Sequence, residues 1–259
     1  MAKPQPNYPS RFLERESAKD YTQREYSLDS YATLVWNRQS HLVNRLLLEM
    51  QERAPAGHHL DFACGAGRIT SLTEKIFSKV DALDISPAMV ELARASCPRT
   101  EFYVGNILEN PELCRGPYSS ITAFRLLLNL DPPLRRPILE ALARRLKPGG
   151  TLLINLHGNR YSLRQPAILW KRWKQRRGME PEATMLNDMS LGQTRSCLET
   201  AGFSVEEVYG TGILPPTVFR WPLRRMWNKI DDHLSALGFL KSIGIDLLFV
   251  CRKKDSSSP

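Results

Sequence analysis

The densest chemistry in the chain lies in Leu60-Asp61-Phe62-Ala63-Cys64-Gly65-Ala66-Gly67-Arg68. Apolar residues lead in, two glycines turn the chain, and a helix-forming run follows. Without a Cβ, Gly65 and Gly67 let backbone N–H groups approach a ligand and open the positive-φ region. A helix starting there adds partial positive charge suited to a carboxylate or phosphate. Two ligand classes compete for such a turn. A dinucleotide site asks for G-x-G-x-x-G, and its third glycine position holds Thr70. Asp84, about 20 residues on, suits the ribose of either class. Asp61 discriminates between them, because a carboxylate just before the turn attracts an amino-acid ammonium and repels a pyrophosphate. The balance favours an adenosyl amino acid over a nicotinamide dinucleotide.

These residues need a scaffold, and the pattern supplies one. Apolar residues at helical spacing (Val35, Leu42, Val43, Leu46, Leu47, Met50) predict a helix from about Tyr31 to Arg53. Strand His59–Cys64 follows, then a helix from Gly67 to Phe77 and strand Val80–Ile85. Ser86-Pro87 supplies an N-cap and a first-turn proline for a helix to about Ser96. Strands Glu101–Val104 and Ser119–Phe124 precede a helix capped at Asp131-Pro132, with Leu134, Ile138, Leu142 and Leu146 on its apolar face. Pro137 inside it removes a backbone donor. Lys147-Pro148-Gly149-Gly150 reads as a turn before strand Thr151–Leu156. Ser190 and Gln193 fit a capping box for a helix ending at Gly202. Phe203–Tyr209 and Ile245–Cys251 are the last strands. This rhythm predicts an α/β fold: a doubly wound, mostly parallel seven-stranded sheet covered on both faces. Its ligands belong at the carboxyl edge of the strands.

Several motifs in register resemble those of the class I S-adenosylmethionine-dependent methyltransferases. LDFACGAG resembles motif I, L-D-x-G-C-G-x-G, and VDALDISPAMVELARA the second-strand motif. FYVGNILE resembles the third, and YSSITAFRLLLNL with LARRLKPGGTLLIN the later ones. The likeness runs over about 60–210 and on through AGFSVEEVYG to the final strand. Two positions depart from it: Ala63 replaces a glycine, and Asn106 stands where an Asp often meets the adenine amino group. The amide oxygen of Asn106 can still accept that bond.

The resemblance implies S-adenosyl-L-methionine as cofactor and assigns roles. Asp61, Ala63, Gly65, Gly67 and Arg68 would surround the methionine part. Asp84 would take the ribose hydroxyls, Ile85 and Met89 would lie against the adenine, and Asn106 and Ile107 would border its edge. Phe124 and Arg125 would lie beside the sulfonium and the acceptor. The N-terminal segment would fold over the cofactor as a lid, with Tyr31 favoured over Tyr26 and Trp36. Ordinary core packing is the competing reading for Ile85, Met89, Ile107 and Trp36.

Methyl transfer from a sulfonium is an in-line displacement, so alignment dominates. A hydroxyl acceptor also needs its proton removed, whereas an amine needs only its neutral form. His157, closing a strand in Ile154-Asn155-Leu156-His157-Gly158-Asn159, is the candidate base, with Asn155 and Asn159 to orient it. Arg125 and Asn129 are polar groups near the same mouth; Asp131 reads as a helix cap. His58 and His59 open the first strand at the far end and read as structural, and His233 as solvated.

The 259 residues suit a single domain: a cap at 1–55, a cofactor-binding core at 56–156, insertions at 157–189 and 210–242 near the mouth, a helix and strand at 190–209, and a last strand at 243–252. The charge of +9 arises from 36 Lys+Arg against 27 Asp+Glu and does not by itself demand a nucleic-acid partner. The five scattered cysteines form no C-x-x-C, so no zinc cluster or disulfide framework is expected, and no metal. No apolar leader or spanning run is visible, and the expected location is cytoplasmic. The first insertion is basic and holds Trp170 and Trp173; the second carries an apolar stripe of Leu223, Met226, Trp227, Ile230, Leu234 and Leu237. Such helices can lie on a bilayer, bind RNA, or simply pack on the domain. The favoured reading is O-methylation of a small molecule, a secondary metabolite or glycan-type acceptor. N-methylation of a small molecule, an RNA acceptor and a non-catalytic cofactor-binding protein are the alternatives; the chain has no N-P-P-Y-type tetrapeptide or attached RNA-binding module.

Overall fold

A computed structural model describes residues 31–177, 188–214 and 224–254. Helix α1 (Tyr31–Arg53) leads into β1 (His58–Phe62), α2 (Thr70–Ile76), β2 (Lys79–Asp84), α3 (Pro87–Ser96), β3 (Glu101–Val104) and β4 (Tyr118–Ala123). Then come α4 (Pro132–Arg145), β5 (Leu146–Leu156), α5 (Gln165–Arg176), α6 (Leu191–Thr200), β6 (Phe203–Thr211), α7 (Arg224–Ala236), a 3-10 turn (Gly238–Ile243) and β7 (Asp246–Lys253). The seven strands form one sheet in the order β3-β2-β1-β4-β5-β7-β6. β1 to β5 pair in parallel, and β7 enters antiparallel between β5 and β6.

Strand alternation sends side chains to opposite faces, and each face finds helices. Leu60, Phe62, Ile121, Leu152, Ile154 and Phe249 pack with Ile138, Leu139 and Leu142 of α4 and Leu198 of α6. On the other face Val80, Leu153, Leu248 and Val250 meet Val43, Leu46, Leu47 and Met50 of α1, together with Ile69 and Phe77 around α2. Helix α3 covers Ala82 and Phe102 with Val90 and Ala93. The doubly wound expectation holds.

The caps explain several boundaries. Ser86 accepts from the Met89 N–H at the start of α3 with Pro87 beside it. Ser190 and Gln193 form the reciprocal capping box of α6, and Gly202 turns the chain out at φ 95°. Three local expectations need correction. Asp131 sits at the start of α4 but its side chain makes no capping bond. Leu134 is 41% exposed, because α4 lies against the sheet only from Ile138 onward, and Leu146 already belongs to β5. Residues 147–150 are not a free turn: they lie inside β5, where the pairing slips between Tyr118↔Leu146 and Ser120↔Thr151. The extra residues bulge out of β5 where it faces the shorter stretch of β4.

The two histidines of β1 are structural, as expected. His59 is fully buried, its ring nitrogens bonded to the hydroxyls of Ser120 and Thr122 and its ring stacked on Phe77. Burial, and next the neighbouring His58, hold its pKa down at about 3. All five cysteines are free thiols.

Phe249 is fully buried at the centre of the larger core. Truncation to Phe249→Ala is expected to destabilise the fold by about 3–5 kcal/mol in urea unfolding. A loss under about 1 kcal/mol would mean that the core repacks around the cavity.

Candidate active site

The register sets the site. β1 pairs with β4 at Phe62↔Ala123, β4 with β5 at Ala123↔Ile154, β5 with β7 at Leu156↔Leu247, and β7 with β6 at Asp246↔Thr211. The residues just past these pairs therefore stand along one edge: Ala63, then Phe124 and Arg125, then His157, then Asp246 and Thr211. Strands lie about 4.8 Å apart, so His157 is roughly 10 Å across the edge from the turn after β1.

That turn is a cradle. Ala63, Gly65 and Gly67 all have positive φ, at 58°, 54° and 86°. Ala63 thus occupies the region its glycine counterpart would, with an L side chain in a disfavoured conformation. A Cβ on Gly65 would meet nothing within 4 Å, so its backbone faces open space. A Cβ on Gly67 would lie 3.1 Å from that of Ala93, which makes Gly67 a close-packing residue against α3 and not a lining residue. The carboxylate of Asp84 accepts from the Gly65 N–H at 2.8 Å and from the Ser86 N–H at 2.9 Å. Burial raises its pKa, opposed by those backbone donors. Ile85 next to it is 42% exposed, an apolar surface that the protein itself leaves uncovered.

Other assigned residues lie elsewhere. Asp61 is 1% exposed and accepts from the hydroxyls of Thr70 (2.6 Å) and Thr122 (2.8 Å), so it braces the turn from beneath instead of facing an ammonium. Burial pushes its pKa up to about 6 despite the two hydroxyls. Met89 and Ile107 are buried in core clusters. Asn106 closes a turn: its amide oxygen accepts from the Leu108 N–H and its nitrogen donates to Glu109. Arg68 lies over the ring of Trp36, which packs with the α1 cluster. Phe124 packs against that same cluster. Tyr31 begins α1, but its side chain, like all of Tyr26, falls outside the described residues.

At the acceptor end, Arg125 has φ 55°; its N–H donates to the Asn155 amide oxygen at 2.6 Å and its carbonyl accepts from Asn129 at 2.5 Å. Asn129 and Asn155 therefore shape the Arg125 turn. Asn159 instead donates to the carbonyls of Ser242 and Gly244, tying the first insertion to the approach of β7. The Nδ1 of His157 is buried and has no hydrogen-bond partner among the described residues. Burial, and next the charge of Arg125, hold its pKa at about 3.

Asp246 was not singled out in the sequence. It is 5% exposed and accepts from the Gln39 side chain of α1 at 2.8 Å, while Gln39 also donates to Thr211. Burial lifts its pKa to about 7, against the charges of Arg125 and Arg164 and the Gln39 bond. Its only sequence signal was position, the first residue of a strand that runs antiparallel and so starts at the ligand edge. Among the described residues no group of three or more His, Cys, Asp or Glu could hold a metal ion.

The sheet order, the cradle after β1 and the carboxylate ending β2 match what the resemblance to class I S-adenosylmethionine-dependent methyltransferases leads one to expect. The magnesium protoporphyrin IX methyltransferase of Synechocystis PCC 6803, solved with bound SAH, shares the fold at a TM-score of 0.64 and 13% identity, over 95% of this chain and 98% of that one. An N-methyltransferase of Bradyrhizobium japonicum, in complex with S-adenosyl-L-homocysteine, shares it at 0.59 and 13%, over 97% and 100%. Residues 60–150 match the family model described as a methyltransferase domain. The chain is also 29% identical over 105 residues to a ubiquinone biosynthesis O-methyltransferase of Xanthomonas campestris, covering 39% of this chain and 43% of that relative. A relative of the same name from Xanthomonas axonopodis is 27% identical over 153 residues, covering 53% and 63%. These matches span less than two thirds of the curated relatives' length.

Replacing Asp84 with Ala should weaken S-adenosylhomocysteine binding about 10- to 100-fold in calorimetry, since hydrogen bonds to a charged group are lost. An unchanged Kd would restrict this carboxylate to holding the turn.

Proposed function

We propose that the chain transfers a methyl group from S-adenosyl-L-methionine to a hydroxyl of a small molecule. The observation that carries the reading is the pairing, on one sheet edge, of the open Gly65 cradle with a buried, unpartnered imidazole nitrogen about two strands away. The bound cofactor supplies an electrophilic methyl on a sulfonium; the protein supplies alignment and a place for the acceptor's proton.

Gly65 and the backbone around it hold the amino-acid end, and Asp84 and Ile85 hold the nucleoside end. The acceptor hydroxyl then points its proton at Nδ1 of His157. A nitrogen of low basicity suffices, because an oxygen gaining a methyl becomes strongly acidic as the bond forms. Burial, and next Arg125, keep this imidazole neutral beforehand, so the nitrogen lone pair stays available. Asp246, sharing Arg125 with His157, is the group of the cluster whose proton affinity suits retention near neutral pH. The wall opposite is α1 through Gln39, which fixes the Asp246 carboxylate. The name O-methyltransferase carried by the curated relatives supports an oxygen acceptor over nitrogen.

His157→Ala should lower kcat at a hydroxyl acceptor by about 10²–10⁴-fold. An unaltered rate would favour an amine acceptor, which needs no base. In the parent, kcat/KM should climb as pH rises through about 7, because Asp246 must lose its proton to act. Asp246→Asn should remove that acidic limb while the calorimetric affinity for S-adenosylhomocysteine stays within about threefold, a difference well under 1.4 kcal/mol. If the limb persists in Asp246→Asn, another group sets it.

A further inference from the structure

Helix α5 has a composition that methyl transfer does not use. Between Arg160 and Arg177 the chain carries Arg160, Arg164, Lys171, Arg172, Lys174, Arg176 and Arg177 and no acidic residue. Interleaved with these are large apolar side chains left in the open. Tyr161 is 64% exposed, Leu163 48%, Leu169 58%, Trp170 58% and Trp173 39%. Among the described residues α5 has no substantial packing contact with any other helix or strand. The second insertion is intermediate: α7 packs on β6 and the 3-10 turn, yet Met226 and Ile230 stay 43% and 36% exposed.

We propose that α5 and its approach at residues 160–164 form a docking surface for an anionic lipid bilayer. Two tryptophans beside aliphatic side chains gain by leaving water at the headgroup boundary, and cations around them gain from anionic headgroups. The ring geometry separates this partner from RNA. Trp170 and Trp173 stack on each other with centroids 4.9 Å apart at 16°, Arg177 lies 4.3 Å over the Trp173 ring, and Lys174 lies 6.0 Å from that of Trp170. Single-stranded nucleic acid is held on open aromatic faces, and here those faces are taken by each other and by cations. The exposed Leu163 and Leu169 offer nothing to a phosphate backbone but suit acyl chains. Arg160 is drawn to Asp188 at 3.5 Å, and the remaining basic residues of the segment are Arg164, those of α5 and Arg177 at its end. Since α5 follows His157 by a short, Asn159-anchored link, docking would bring the acceptor mouth to the bilayer surface.

The test is co-sedimentation of the full chain with vesicles of phosphatidylglycerol and phosphatidylcholine, against phosphatidylcholine alone and against a single-stranded RNA oligonucleotide. Its readout is lipid binding, so it stands apart from the acceptor chemistry. The expected result is at least about tenfold stronger binding to the anionic vesicles, weakening as salt rises. The double variant Trp170→Ala with Trp173→Ala should lose about tenfold of that binding at an unchanged Tm. Should that variant unfold early, Lys174→Glu with Arg177→Glu decides, with a similar loss expected on anionic vesicles only. Equal binding to both vesicles, no vesicle binding, RNA bound in place of lipid, or full binding by the charge-reversed variant would each overturn the proposal.

Discussion

The site depends on one carboxylate that two loops share. Asp84 ends β2 and accepts from Gly65 in the turn after β1 and from Ser86 at the start of α3. Those two loops have no side-chain reason to stay open toward the same space. The bonds to Asp84 hold Gly65 in its left-handed conformation with its backbone facing outward, and set α3 at an angle that Gly67 then accommodates. Buried acceptors are costly unless bonded, so the geometry that satisfies Asp84 is also the geometry that builds the cradle. A second carboxylate, Asp61, works from below, held by Thr70 and Thr122 and sharing Thr122 with His59. The cradle therefore rests on a buried polar layer instead of on loop stiffness.

Sheet topology explains why the acceptor end differs in character. The parallel strands β1, β4 and β5 all finish at one edge, but β7 begins there. Its first residue, Asp246, thus reaches the same edge from the opposite chain direction and meets Arg125, while α1 supplies Gln39 from the covering layer. The end near Gly65 is made of backbone and carboxylate, whereas the end near His157 gathers three titratable side chains, Arg125, His157 and Asp246, from separate strand ends. That division allows one fold to keep its methyl donor while the acceptor varies.

Helix α5 follows β5 after His157 and leaves its two tryptophans exposed. The described residues contain no helix long and apolar enough to cross a membrane. A surface association of the kind α5 offers needs no such helix.

Much of this was written in local patterns. Helical spacing marked α1 to its observed ends, Ser86-Pro87 and the Ser190–Gln193 box marked two helix starts, and alternation of strands and helices implied the doubly wound sheet. These features are legible because they arise from contacts within a few residues. Glycine spacing and Asp84 located the cradle for the same reason. Only the tertiary structure decided which protein partners the polar groups find. Asp61, Asn106 and Asn129 look like ligand residues in one dimension, yet each finds a nearer protein partner. Asp246 looks unremarkable until β7 runs backwards to set it beside Arg125. Hydrogen-bond satisfaction and strand direction are long-range properties, and no local spacing encodes them.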